Sequence, residues 1–178
     1  MKWNIDPGHS AIEFGVKHLG ISTTKGRFLK FDGSIEADAE GTPQRLEVAI
    51  DPASVDTNLS DRDNHLRSPD FFDVAGHPTM TYRSTAIRAS GASRYEIDGE
   101  LTLRGVTKPV RFTASVEPAL VDPWGNRRIA GHATGVLSRK DWGLTWNSVL
   151  ETGGLLVSDE VKFSLDVEVV AERAAAAA

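Results

Sequence analysis

Three stretches of this chain alternate apolar and polar side chains with a period of two, and that alternation constrains the fold more than any other feature. In residues 95–103 (YEIDGELTL) every odd position is apolar or glycine and every even one is polar. Residues 110–116 (VRFTASV) and 161–169 (VKFSLDVEV) repeat the pattern. Successive side chains of a strand point to opposite faces, so each stretch has one dry face and one wet face. Strands of a parallel sheet are covered on both sides and read as continuous apolar runs. A half-wet pattern belongs to antiparallel sheet wrapped around one core.

Noisier strands fit around these. Ser10, Ile12, Phe14, Val16 and His18 share one face, and Leu46, Val48 and Ile50 share another. Met80 and Tyr82 follow Pro78, a natural strand opening. Residues 129–137 carry Gly131 and Gly135 and suit a strand that bends sharply. Turn signals fall at Asp32-Gly33, Asp98-Gly99, residues 122–126 (DPWGN) and Gly153-Gly154. Gly33 and Gly99 also lie inside strand patterns, where a bulge is expected.

One segment breaks the alternation. Asn58 or Ser60 is placed to cap a short helix that runs to about Arg67 and stops at Ser68-Pro69, with Leu59 and Leu66 on one face. Lying between two β-regions, it is expected to cover or plug one end of the sheet. The tally is about eight strands, one helix and no βαβ alternation, which means a barrel or a two-layer sandwich. A barrel of about eight strands is either filled by its own side chains or holds one small ligand, and periodicity does not choose between them.

At 178 residues the chain is expected to form one domain over residues 1–172, with an alanine-rich tail at 173–178 that frays. It has no cysteine, which excludes disulfides, thiolate metal sites and cysteine nucleophiles. A net charge of −5 and scattered basic residues argue against a nucleic-acid partner; the densest basic group is only Lys25, Arg27 and Lys30. No stretch approaches the ~20 apolar residues of a membrane-spanning helix. Asn4 and Asp6 interrupt any leader-like apolar run, so a soluble, cytoplasmic protein is expected, or a periplasmic one if a leader has been removed.

Catalytic machinery is missing from the sequence. There is no G-x-S-x-G elbow, no phosphate-cradling loop and no H-E-x-x-H. Ser22-Thr23-Thr24-Lys25 matches the S-x-x-K of acyl-transferring enzymes, but reads more simply as a polar turn before Gly26. His9, His18, His65, His77 and His132 never fall at the spacings that aim two imidazoles at one metal from a strand or a helix, so no metal site is assigned. Asn58-Leu59-Ser60 is a formal glycosylation sequon and is better explained as a helix start.

Residues 5–18 (IDPGHSAIEFGVKH), Gly26-Arg27-Phe28 and residues 31–35 (FDGSI) resemble the opening strands of the YceI-like, polyisoprenoid-binding family. Residues 63–74 (DNHLRSPDFFDV), His77-Pro78 and 80–84 (MTYRS) are similar to its helix-and-exit motif. Residues 99–110 (GELTLRGVTKPV) resemble its central hairpin, and 138–144 (SRKDWGL) its R-x-D-aromatic-G segment. The ordered set covers nearly the whole chain. The resemblance implies an all-β, extended, lipocalin-like antiparallel barrel of about eight strands with one short internal helix. It further implies an apolar tunnel for a long isoprenoid lipid, a polyprenyl phosphate or an isoprenoid quinone. A homodimer, a carrier rather than an enzyme, and no cofactor are implied as well.

A long hydrocarbon with a small polar head needs a dry tunnel and a polar mouth. The apolar faces of the less regular elements supply the candidate lining: Phe14, Val16, Phe28, Phe31, Leu66, Phe71, Phe72, Met80, Tyr82, Trp142, Leu144 and Trp146. Any of them could instead be plain core. Methionine adapts to irregular volumes and suits a tolerant pocket. A charged head would be met by His18 or Arg67, with Lys25 and Arg27 as further candidates, arginine offering the planar fork that matches phosphate. Two other readings compete: an enzyme acting on such a lipid through His18 or His65, and an interaction domain whose core is filled solid.

Overall fold

The structure, a computed structural model, describes residues 1–38, 42–151 and 153–172; the alanine-rich tail lies outside them. Twelve strands form one antiparallel sheet among the described residues. In chain order they are β1 (Lys2–Ile5), β2 (Ala11–His18), β3 (Ser22–Phe28), β4 (Phe31–Ala37), β5 (Pro43–Ile50) and β6 (Val55–Asp56). Helix α1 (Ser60–Arg67) follows, then β7 (Met80–Gly91), β8 (Arg94–Leu103), β9 (Val106–Val116), β10 (Leu120–Val121), β11 (Arg127–Ser138) and β12 (Val157–Ala171). The ring β11-β9-β8-β7-β5-β4-β1-β12 closes on itself through β11–β12, giving an eight-stranded barrel. The other four strands, β2, β3, β6 and β10, lie outside the ring, and β6 and β10 have two residues each. β2 continues along the edge of β12 beyond β1, and carries β3 and β6 with it.

All three alternating stretches are strands, and the pattern reads out as burial. In β8, Ile97, Gly99, Leu101 and Leu103 are buried while Glu100 faces water. The hairpin β8–β9 turns through Arg104 and Gly105, both at positive φ, as a two-residue turn of the primed type requires. The residues expected to form a polar turn, Ser22 to Lys25, are in fact extended in β3, so the S-x-x-K pattern has no helical setting.

The glycine expectations are met differently. At Gly99 the register shift falls on the facing strand, between Ser84 and Ala86. Gly33 keeps regular register with Val48, and glycine is needed there because a Cβ would lie 2.5 Å from the Glu47 carbonyl oxygen. The helix start also differs. Leu59 holds the cap position without a side-chain bond, and Asn58 is left-handed at φ 61°. Leu59 is therefore exposed and off the helical face that Leu66 presents. Asp63 anchors α1 instead, accepting from Thr57 N (2.9 Å) and Thr57 Oγ1 (2.6 Å).

One end of the barrel is packed solid by Trp3, Ile5, Ala37 and Val169, with Ile35 and Ile129 against them. Arg128 locks that end. Its guanidinium binds Asp122 in the β10–β11 turn (2.7 Å), Asp6 after β1 (2.9 Å) and Glu168 on β12. Burial alone would raise the Asp122 carboxyl. Hydrogen bonds from Arg128, from the Asn126 side chain and from the Asn126 and Trp124 backbone overcome it and hold the group well below the usual carboxylate range. A depressed pKa contributes stability above the unfolded value of about 3.9 and loses it as pH falls toward the folded value. Asp122→Asn is expected to lower the urea midpoint at neutral pH. The gap to wild type should shrink steadily below about pH 4, and a gap independent of pH would contradict this account.

Candidate ligand-binding site

The other part of the barrel is hollow. A cavity of about 550 Å³ runs inside the sheet, within the range of small-molecule sites. The interior is therefore not filled by the chain's own side chains, which removes the filled-core reading. Its body is apolar because alternation delivers every second side chain inward. Ile12, Phe14 and Val16 come from β2, Phe28 from β3, Met80 and Tyr82 from β7, and Val161, Phe163 and Leu165 from β12.

Aromatic rings shape the wall. Phe14, Phe28 and Phe72 follow one another with centroids 5.5 and 5.7 Å apart, and Tyr82, Phe112 and Phe163 at 5.3 and 5.9 Å. Such spacings suit tilted and edge-on ring pairs. Three rings lie flat across glycines on a neighbouring strand, among them Phe163 over Gly135, where a Cβ would sit 2.3 Å from the ring. A Cβ at Gly26 would sit 2.3 Å from Phe14, and one at Gly99 2.3 Å from Tyr82 Oη. Flattened over Gly99, Tyr82 donates its hydroxyl to the Val110 carbonyl at 3.2 Å. The only polar atom of that ring is thus used inside the wall. Burial and the negative charge of Asp98 push its phenol upward, so it stays neutral.

Polar residues gather at one end of the lining. His18 and Thr24 come from the β2–β3 hairpin, Thr57 from the end of β6, and Asp61, Arg62 and His65 from α1. Arg62 donates Nε to Thr57 Oγ1 and Nη2 to Thr57 O, both at 2.7 Å, so its fork is already oriented. The His65 ring stands edge-on to Trp146 (4.6 Å) and Phe71 (5.0 Å), and its Nε2 lies 2.9 Å from Asp70 Oδ2. His18 is half-buried, and its imidazole makes no hydrogen bond among the described residues. This end is a mouth with cationic and hydrogen-bonding groups, and α1 stands across it as expected.

Twelve of the sixteen candidates line the cavity: Phe14, Val16, His18, Phe28, Phe31, Leu66, Phe71, Phe72, Met80, Tyr82, Leu144 and Trp146. Arg67 and Trp142 do not. Arg67 faces away and ties α1 to the strand region, donating Nε to Ala53 O (2.8 Å) and Nη2 to Val55 O (3.0 Å). Trp142 is buried in the wall and donates Nε1 to Leu101 O (3.0 Å). Lys25 and Arg27 lie on the outer face of β3, Arg27 bound to Asp56 at 2.9 Å.

Several lining residues lie outside the candidate set. Leu101, Leu103, Val110 and Phe112 sit on the most regular strands and read as core, although in a hollow barrel an inward face and a lining face are the same thing. Arg62 was legible too, since it falls one turn before Leu66 on the same helical face, with His65 three residues after it. Arg139 was visible only as part of a motif. It is buried and donates to Leu144 O (2.6 Å), Trp146 O (2.8 Å) and Ser158 O (2.9 Å). Its guanidinium therefore holds the segment that carries the mouth's Leu144 and Trp146.

Asp6, His9 and Glu168 bring three potential metal-ligating atoms within 4.8 Å of one another. The guanidinium of Arg128 already bonds both of those carboxylates.

A closed antiparallel barrel with an apolar cavity inside and a polar mouth defines a hollow, lipocalin-like barrel protein. The match to the YceI-like domain model spans residues 3–169, and the chain belongs to that family. A UPF0312 protein of Pseudomonas aeruginosa is 43% identical over 161 residues, covering 90% of this chain and 81% of the relative. One from Pectobacterium atrosepticum is 42% identical over 145 residues, covering 81% and 75%. Among solved structures, the Campylobacter jejuni YCEI protein superposes with a TM-score of 0.77 at 30% identity, over 88% of this chain and 90% of that one. Burkholderia cenocepacia BcnA gives 0.79 at 22% identity, over 92% and 98%. A polyisoprenoid binding domain from Saccharophagus degradans gives 0.69 at 18%, over 96% and 98%. The last two likenesses are of fold.

Replacing Arg139 by Met removes the donor to the buried Leu144 carbonyl and to the partly buried carbonyls of Trp146 and Ser158. The variant is expected to lose about 3 kcal/mol of stability, read from urea unfolding. A loss below about 1 kcal/mol would show that the segment holds without it.

Proposed function

We propose that this protein is a non-catalytic carrier of long isoprenoid lipids, either a polyprenyl phosphate or an isoprenoid quinone, held with the chain in the cavity and the head at the mouth. One observation carries the reading: the barrel encloses about 550 Å³ of almost wholly apolar space that opens at a polar end. Hydrocarbon leaving water gains about 25 cal/mol per Å² of buried surface, or about 0.8 kcal/mol per methylene. Water would find too few partners in the cavity body to compete, since a buried water wants two to four polar contacts. The polyisoprenoid-binding neighbour of the same fold supports the ligand class. The mouth suits either head. A phosphate would find Arg62 and His18, and a quinone carbonyl needs only donors such as Thr24 or His65. The YceI resemblance also implies a homodimer, which belongs to the same proposal and is read by sedimentation.

A carrier needs no nucleophile or acid, only space and a seal. The enzyme reading would route through His65 and Asp70, the histidine–carboxylate pair at the mouth. Incubating the protein with a polyprenyl phosphate and with a prenylated quinone, followed by mass spectrometry, separates the two. Intact lipid co-purifying with the folded chain supports carriage, and converted lipid supports catalysis. Met80→Glu puts a charge in the cavity wall and is expected to abolish uptake while circular dichroism still reports a β-barrel. Undiminished uptake by that variant would remove the cavity from the proposal.

A further inference from the structure

The tip of the β2–β3 hairpin exposes apolar side chains where solvated polar residues would serve better. Ile21 is 82% exposed and Leu19 39%. The turn His18-Leu19-Gly20-Ile21 closes by Ile21 N donating to His18 O at 3.2 Å, with Leu19 at φ 55° and Gly20 at φ 71°. Such a primed turn favours Asn-Gly, and a leucine held left-handed costs roughly 1–2 kcal/mol. Beside it, the segment before β12 exposes Val149 (78%) and Leu155 (44%), which face each other across an isolated bridge. Backbone bonds join the two tips: Leu19 N donates to Leu156 O at 2.9 Å, and Leu156 N to Ser148 O at 2.9 Å. Four exposed apolar side chains thus lie on adjoining tips next to His18, Leu156 and Val157 of the cavity lining.

Charge differs between the two tips. Residues 17–25 contain Lys17 and Lys25 and no Asp or Glu, while residues 147–160 contain Glu151, Asp159 and Glu160, of which Asp159 is bound by Lys140 at 2.9 Å. The chain as a whole carries −5. The β2–β3 tip of this rim is therefore apolar and basic on an acidic body, which suits the interface of a bilayer containing anionic lipid and disfavours deeper contact by the rest of the molecule. Resting on the carrier reading, we infer that this rim docks on a membrane surface and places the cavity mouth against the leaflet. A long isoprenoid chain then passes between bilayer and barrel without crossing water, whose cost rises with every exposed methylene.

The test uses the full chain and the double variant Ile21→Ser with Val149→Ser, two exposed residues outside the cavity lining. Vesicles of phosphatidylethanolamine and phosphatidylglycerol report docking by flotation, and the same vesicles carrying a fluorescent prenyl lipid report transfer. Cyclodextrin-solubilised prenyl lipid reports loading without a membrane. Wild type is expected to float with vesicles. The double variant should load from cyclodextrin as wild type does, yet take lipid from vesicles about tenfold more slowly. Absence of flotation by wild type, or equal transfer rates for the two proteins, overturns the rim. A change in sedimentation with unchanged flotation also overturns it and makes the patch a contact between copies. Failure of wild type to load even from cyclodextrin sinks the carrier reading instead, and flotation of wild type but not of the variant would still support docking.

Discussion

The closure made by β12 is the constraint on which the rest of this molecule depends. That strand of 15 residues pairs with β11 through eleven successive registers along one edge. Along its other edge it pairs first with β2 and then with β1. A strand satisfied on both edges leaves no open rim in the ring, so the sheet must enclose a volume. Once it is closed, the period of two sends half of all strand side chains into one shared interior. Nothing in that arrangement requires the interior to be full. Packing by Trp3, Ile35 and Val169 fills one end, while elsewhere glycines let Phe14 and Tyr82 lie flat against the wall and leave space at the centre.

Polar groups are distributed so that this space stays dry. Tyr82 spends its hydroxyl on Val110, and Trp142 its indole N–H on Leu101. Arg139 is locked in the wall by three carbonyls at hydrogen-bond distance of 2.9 Å or less. Burial lowers the Arg139 pKa and Asp159 opposes the shift, yet an arginine remains charged. The Leu144 carbonyl it binds is buried, and a buried carbonyl left without a donor costs stability. The result is a gradient along the barrel, from a solid end through an oily middle to a mouth with imidazole, guanidinium and hydroxyl groups.

Much of this was legible in the residues. Strands β8, β9 and β12 were fixed by alternation, since only a pleated chain makes every second side chain equivalent. The helix was legible in position but not in its cap: Asn58 takes a left-handed conformation and the anchoring carboxylate is Asp63, a tertiary partner of Thr57 that no local rule points to. Arg67 looked like a head-group ligand because arginine near a pocket commonly is one. Carbonyls of Ala53 and Val55, in a segment distant along the chain, claim it instead. Trp142 was sorted with the lining aromatics because side-chain type does not say on which side of the wall a ring lies. Conversely, Leu101 and Phe112 lie on the most regular strands, where alternation marks an inward face but does not say whether that face meets core or cavity.

By itself the sequence determined that this chain makes antiparallel sheet with one dry face, that a short helix interrupts it, and that recognisable catalytic motifs are lacking. Those properties are local or compositional, set by pleat, propensity and the inventory of side chains. Only the tertiary structure decided that the dry faces surround a cavity rather than meet, because a void depends on how distant strands are spaced and which rings lie over which glycines. It also decided where the mouth is, since Thr24, Thr57, Arg62 and His65 come together only when β3, β6 and α1 are folded against the same end of the barrel.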